Sequence, residues 1–273
     1  MIQLSPLHDS NSLMDASLMR LAWRRHAGSP TPALLRRVGD ELVTRLQDIR
    51  ITPQRILDHS CCSPVTSQLG QFYPTAHVIQ LGPEQHSMAA RRDHDRPALV
   101  ADHRLPFRSG QFDLIVANLM LHWSTDQRAL LRSWHRLLRP DGLLLFSTLG
   151  SQSLSELRQA MATVDQHHDR PPRARLIELP TLNDLGQLMS HAGLRLVVLD
   201  RDSVTLPVVS IPELLQRLRR MGSVNPYRRA PHGGYPGRSF WSTVEQCYRQ
   251  QQGLSATAEL PVTFELIFGH GWH

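Results

Sequence analysis

From Pro32 the hydrophobic positions recur in steps of three and four. Leu34, Leu35, Val38, Leu42, Val43, Leu46 and Ile49 share one face, with Arg36, Arg37, Asp40 and Glu41 on the other, which predicts an amphipathic helix. The pattern then changes to short apolar runs bounded by turn residues: RILDHS (55–60), HVIQLG (77–82), ALVADH (98–103), FDLIVANLMLHW (112–123) and GLLLFSTLG (142–150). Runs that are apolar without alternation suit strands covered on both faces, as in a parallel sheet. Between the last two, Leu130, Leu131, Trp134, Leu137 and Leu138 stand at helical spacing, and RPDG (139–142) marks the stop. Strand, helix and strand in this rhythm predict a doubly wound α/β sheet.

Past residue 150 the helical pattern returns more often. A helix is predicted to start at 153, with Ser153 and Glu156 spaced as a capping box. Residues 166–180 read as a polar, Pro-rich loop, 182–194 as a helix ending at Gly193, and 195–208 as a strand. A basic helix follows over 210–225, then a Pro/Gly/Arg loop over 226–239 and a short helix over 240–251. LPVTFELIFGHGW (260–272) closes the chain as a strand, with Val262, Phe264, Leu266 and Phe268 on one face. The expected organisation is a flexible segment over 1–30 and one domain over 31–273, with an Arg-rich helical insertion at about 205–252.

Composition narrows the chemistry. The chain has 273 residues, is 41% hydrophobic and carries a formal net charge of +6, enough for one large soluble domain. Its thirty basic residues are all Arg. Without lysine, a P-loop NTPase, a protein kinase and a pyridoxal-phosphate enzyme are excluded. The Arg-rich surface suits carboxylates and phosphates, leaving nucleic acid, anionic lipid or an acidic protein as partner classes. Three cysteines, Cys61, Cys62 and Cys247, make no disulfide framework, and no apolar run reaches the roughly 18 residues of a membrane helix. With no secretory pattern at the start, the expected location is the cytoplasm.

One segment goes further. LPFRSGQFDLIVANLMLHWSTDQRALLRSWHRLLRPDGLLLFST (105–148) resembles the class I S-adenosylmethionine-dependent methyltransferases, with their "LPF…FD" strand and "RPDG" turn. DLGQLMSHAGL, the RMGSVN helix end and the terminal LPVTFELIFGHGW are similar to the malonyl-[acyl-carrier protein] O-methyltransferases of biotin synthesis. A sister group, the arginine-hydroxylating assembly factors of respiratory complex I, shares nearly the same phrases. The resemblance runs from about residue 33 to the end. It implies a Rossmann-like sheet, mostly parallel with an antiparallel C-terminal strand, S-adenosylmethionine as cofactor and acyl carrier protein as partner. Nucleic acid is disfavoured, because AsnLeuMetLeu (118–121) stands where the amino-methylating enzymes carry AsnProProTyr.

The resemblance also assigns residues. In the family the first strand runs into an AspXaaGlyXaaGlyXaaGly loop; Asp58 matches the Asp, while Ser60, Cys62 and Pro64 replace the glycines. Those glycines let backbone pass close beneath the cofactor. Gly82 stands where an acidic residue holds the ribose, with Glu84 two residues on, and no tyrosine precedes Tyr73. Asp102, with His103 beside it, matches the position that contacts adenine, and Asn118 lies where the fourth strand faces the methyl donor. Arg219 stands where the malonyl-carrier enzymes tend to carry a basic residue, which points to a role in binding the malonyl carboxylate, within a run that includes Arg217, Arg220, Arg228, Arg229 and Arg238. Asn225 matches a position of no assigned role. No side chain is assigned as a catalytic acid or base, since a carboxylate acceptor is already a nucleophile.

Bland readings stand beside these. Asp102 and Asn118 suit turns and strand ends, Trp123 suits packing beside His122, Cys247 suits a helix core, and the Arg run suits a solvated face. A metal site from Asp58, His59, Cys61 and Cys62 has no second cysteine pair to complete it. For residues 58–64 two readings are open. One is a cofactor loop that works without its glycines. The other is a fold kept without the ligand, acting as a binding or assembly subunit.

Overall fold

The computed structural model describes residues 31–60, 64–81, 105–124, 126–167, 175–221 and 237–273. Expectations for residues 1–30 and the 98–103 strand, and for Cys61, Cys62, Gly82, Glu84, Asp102, His103, Asn225, Arg228 and Arg229, fall outside them.

Six strands form one sheet in the order β2-β1-β3-β4-β6-β5. They are β1 (Arg55–Asp58), β2 (His77–Gln80), β3 (Phe112–Ala117), β4 (Leu138–Leu149), β5 (Arg195–Val208) and β6 (Leu260–Trp272). β2, β1, β3 and β4 pair in parallel, and β6 lies antiparallel to both β4 and β5. β6 is therefore the reversed strand, and β5 runs in the direction of the parallel set. This is the expected Rossmann-like sheet with an antiparallel C-terminal strand.

The apolar runs lacked alternation because both faces are covered. Ile56, Leu114, Val116, Leu143 and Leu145 pack into one core cluster. Leu57, Ile115, Ala117, Leu144 and Phe146 pack into the other. The first cluster is closed by α1 (Ala33–Arg45), α2 (Val65–Phe72), α4 (Ser155–His167), α6 (Ile211–Arg220) and α7 (Arg238–Gln251). The second is closed by α3 (Gln127–Leu137) and α5 (Leu182–His191). Each fully buried Leu or Phe contributes about 1.5–3 kcal/mol by leaving water. Local chemistry sets the helix starts. Asp126 accepts from the Ala129 N–H before α3, Thr181 and Asp184 form a reciprocal capping box on α5, and Ser210 accepts from the Glu213 N–H on α6.

Three expectations change. The strand expected over 112–123 stops at Ala117, because Leu119 takes φ +51° and the chain turns into a 3-10 helix at Leu121–Trp123. The RPDG turn is a bulge inside β4 rather than its prelude: Phe112 pairs with Leu138 but Leu114 with Leu143, and Asp141 at φ +60° takes up the slack. Arg139 reaches back to Asp113 at 2.8 Å, tying the "FD" and "RPDG" motifs together. Ser153 and Glu156 make no capping box, since α4 begins at Ser155 and the Ser153 hydroxyl is taken by the backbone of Glu265.

Gly269, in β6, leaves no room for a side chain. A Cβ there would come within 2.7 Å of the Phe146 ring and 2.8 Å of Leu199. Gly269→Ala is expected to destabilise the fold by about 1–3 kcal/mol through overpacking, read as a lower urea midpoint at unchanged slope.

Candidate active site

The chain leaves β1 toward the first core cluster, where Val65 and Leu69 of α2 pack, and leaves β3 toward the second, where α3 packs. Adjacent parallel strands whose connections diverge open a crevice at their C-terminal ends, the usual ligand site of such sheets. Asp58 ends β1 at this point, and Asn118 follows β3 directly.

Asp58 is completely buried. Its Oδ2 accepts from the Thr66 hydroxyl on the first turn of α2. Its Oδ1 has no hydrogen-bond partner among the described residues. Burial pushes the carboxyl up from 3.8 to about 6, against the opposing pull of the Ser60 and Thr66 hydroxyls. A buried carboxylate oxygen without a partner is costly and leaves an acceptor for a cation or an N–H donor.

Ser60 shows how the first glycine position tolerates a side chain. Its hydroxyl is buried and accepts from the Asn118 N–H at 3.0 Å, so it bridges β1 and β3 inside the protein. Asn118 is spent in the same network. Its Nδ2 donates to the Leu35 carbonyl at 2.8 Å, and its Oδ1 accepts from the Ser147 hydroxyl at 2.9 Å. Ser147 Oγ also accepts from the N–H of Leu119, which holds that residue in its left-handed conformation. Ser147→Ala would strand Asn118 Oδ1 and the Leu119 N–H in the interior. The expected cost is about 1–3 kcal/mol in thermal unfolding.

Pro64 also fits. It sits at φ −72° as the N-cap of α2, and its carbonyl accepts from Gln68 N and Ser67 Oγ. That φ is proline's own, and the missing N–H belongs to a helix start where it has no intrahelical partner. His59, between Asp58 and Ser60, is buried with its Nδ1 accepting from the Trp134 indole at 3.0 Å. His122 is buried as well, 3.3 Å from the Thr148 hydroxyl, and burial pushes it down to about 3, so it stays neutral. Trp123 is buried beside it. Among the described residues, no group of three or more His, Cys, Asp or Glu could hold a metal ion.

The helices after β5 carry the remaining candidates. Arg217 is committed to Glu213 at 2.7 Å and to the Pro207 carbonyl. Arg219 and Arg220 are exposed at the end of α6. Arg219 lines a groove between α6 and α7. Arg238 opens α7, and Cys247 is half-buried against the core.

A methyltransferase-domain family model matches residues 32–199. The chain belongs to the methyltransferase family. It is 33% identical over 276 residues to the malonyl-[acyl-carrier protein] O-methyltransferase of Laribacter hongkongensis, spanning 94% of this chain and 89% of that one. The enzyme of the same name from Gallionella capsiferriformans is 31% identical, spanning 95% and 91%. A mitochondrial arginine-hydroxylase from Mus musculus, NDUFAF5, is 26% identical, spanning 96% of this chain and 77% of its own. Among solved structures, a candidate methyltransferase from Bacillus halodurans C-125 shares the fold: TM-score 0.53, 11% identity, 85% of this chain and 98% of that one.

Within this methyltransferase the sequence reading missed several supports. Thr66, Trp134 and Ser147 hold the strand ends, acting from 8, 75 and 29 residues away. Glu265 is another. Its Oε2 accepts from the Gln152 N–H at 2.8 Å, and its carbonyl accepts from the Gly150 N–H and the Ser153 hydroxyl. It thereby shapes the turn that leaves β4 at the crevice edge. A Cβ at Gly150 would fall 2.4 Å from Glu265 Oε2, so a larger residue there would displace that carboxylate from the Gln152 N–H.

Proposed function

We propose that this chain methylates the free carboxylate of a malonyl group carried on acyl carrier protein, with S-adenosylmethionine as donor, as a step of biotin synthesis in the cytoplasm. The observation that carries this reading is the identity of 30% or more, over nearly the whole chain, to enzymes named for that reaction. No helix among the described residues is long and apolar enough to cross a membrane.

The residues present fit the donor. It is cationic, and Asp58 offers a buried carboxylate oxygen with no other described partner. Ser60 and Asn118 fix the strand ends around it. On the family pattern, Cys62 continues the loop, Gly82 takes the ribose side, and Asp102 with His103 takes the adenine side. When bound, S-adenosylmethionine supplies an electrophilic methyl group on sulfur. The protein has no proton to remove from a carboxylate acceptor, so its work is alignment and exclusion of water. Arg219 orients the malonyl carboxylate by a charge-assisted pair, without binding it so tightly that attack slows.

Growth tests the reading. A biotin-requiring bacterium that lacks its own malonyl-carrier methyltransferase is expected to grow on biotin-free medium when it expresses this chain. Failure to grow, with the protein soluble and abundant, would count against the reading. It would favour a binding or assembly subunit, or an arginine-hydroxylase role like that of the 26% relative.

A further inference from the structure

Two successive side chains of β4 grip the chain where it leaves β3. Ser147 and Thr148 point to opposite faces of the sheet, as neighbours on a strand do. On one face the Ser147 hydroxyl donates to Asn118 Oδ1 at 2.9 Å and accepts from the Leu119 N–H at 3.0 Å. On the other face the Thr148 hydroxyl lies 3.3 Å from His122 Nδ1. The segment held in this way, 118–123, runs from the end of β3 through the left-handed Leu119 into the 3-10 helix, which packs on β4 and α3. It lies at the β3 side of the crevice.

Stability alone does not account for the His122–Thr148 pair. Both side chains are buried. Leu121 and Trp123 on either side of His122, and Phe146 two residues before Thr148, belong to the second apolar cluster. Burying an imidazole there carries a desolvation cost, visible in its fall from 6.5 to about 3. One neutral hydrogen bond returns only about 1 kcal/mol. A leucine and a valine would fill similar space without that cost. A polar pair inside an apolar cluster, three residues from left-handed backbone, marks a place where geometry is fixed at the expense of stability.

We propose that His122 is a positioning residue for methyl transfer, tied through Thr148 to β4 so that segment 118–123 keeps the donor's methyl group in line with the acceptor carboxylate. This rests on the malonyl-carrier reading. His122 acts through the backbone of the 3-10 helix and of Leu119, which Thr148 and Ser147 hold from the two faces of the sheet. Alignment of this kind counts in the transition state, where a misplacement of about 1 Å can lower the rate roughly 100-fold. A neutral imidazole suits the task, because it makes the bond without adding a charge beside a cationic donor and an anionic acceptor.

Thr148→Val, His122→Leu and the double variant remove the bond with little change of shape, whereas Thr148→Ser and His122→Gln keep a neutral hydrogen-bonding group. Each is measured for kcat and KM with malonyl-acyl carrier protein, for the Kd of S-adenosylmethionine by titration calorimetry, and for Tm. The expected result for the first three is a kcat lowered about ten-fold or more, with KM and Kd within about two-fold of the parent. The double variant should melt no lower than the parent, because both polar partners are replaced together. Thr148→Ser and His122→Gln should restore most of the lost kcat. An unchanged kcat in the double variant overturns the proposal. So does a double variant that fails to fold or loses kcat in step with Tm, which is what a purely structural pair would give. A parallel rise in the Kd of S-adenosylmethionine also overturns it, since the pair would then only shape the donor site. If the parent itself leaves the malonyl carrier unmethylated, the malonyl-carrier reading has failed and this inference falls with it.

Discussion

Asp58→Asn is expected to make the ligand-free protein more stable at neutral pH and to weaken its hold on S-adenosylmethionine. The Asp58 carboxyl is raised from 3.8 to about 6 by burial. The folded state therefore keeps a proton that the unfolded chain releases between those values. In that window the unfolded chain binds fewer protons, so stability falls as pH rises. Two units at about 1.4 kcal/mol each amount to about 3 kcal/mol of cost at pH 7, which the neutral amide removes. Differential scanning calorimetry should show Asp58→Asn melting higher than the parent at pH 7.5 and close to it at pH 3.5. Binding moves the other way. Loss of a charge-assisted bond at a buried site is worth about 1.5–3 kcal/mol, so the Kd should rise roughly 10- to 100-fold. In the parent, affinity should weaken as pH drops below about 6, because the cation then competes with the proton on Asp58. Titration calorimetry at pH 5 and 7.5 reads this directly. A residue that costs the fold and serves the ligand is what an Oδ1 without a partner among the described residues implies.

Arg175→Ala is expected to produce the largest loss of stability. Arg175 grips Asp165 with both nitrogens, at 2.5 and 2.8 Å, and its guanidinium lies 4.4 Å over the Phe240 ring. The side chains are only 9% and 3% exposed, so the pair sits in the interior and joins α4 to α7. Removing one partner leaves the other charged and buried, at a cost of about 3–5 kcal/mol. For a chain of this size that is a fall in Tm of about 10 °C. The double variant Asp165→Leu with Arg175→Met fills similar volume without charge and should recover most of the loss. If the single variant melts within a degree or two of the parent, the pair is not the clamp described.

The sheet was legible because its signal is local. Strands covered on both faces must be apolar throughout, and β1, β3 and β4 wrote that directly into the sequence. The helix faces of α1 and α3 were equally plain. The site was less legible because its supports act at a distance. Ser60 tolerates its hydroxyl only because Asn118, 58 residues later, presents an N–H to it. Nothing around Ser153 indicated that a strand 112 residues on would claim its side chain in place of a capping box. Leu119 gave no warning either, since a leucine in left-handed backbone is held there by Ser147 rather than by its own preference. Lost glycines in the loop after β1 looked prohibitive in the linear sequence. At Ser60 and Pro64 the folded chain accommodates the replacements without strain.

The most direct test of the account is a methyl-transfer assay with the purified chain, S-adenosylmethionine and malonyl-acyl carrier protein, read by intact-protein mass spectrometry. The account predicts a gain of one methyl group on the malonyl-loaded carrier and none on the acetyl-loaded carrier, whose acyl group ends in no carboxylate. If the protein is folded and the malonyl carrier keeps its mass while the donor remains unconsumed, the account is contradicted. The fold would then be a methyltransferase scaffold put to another use.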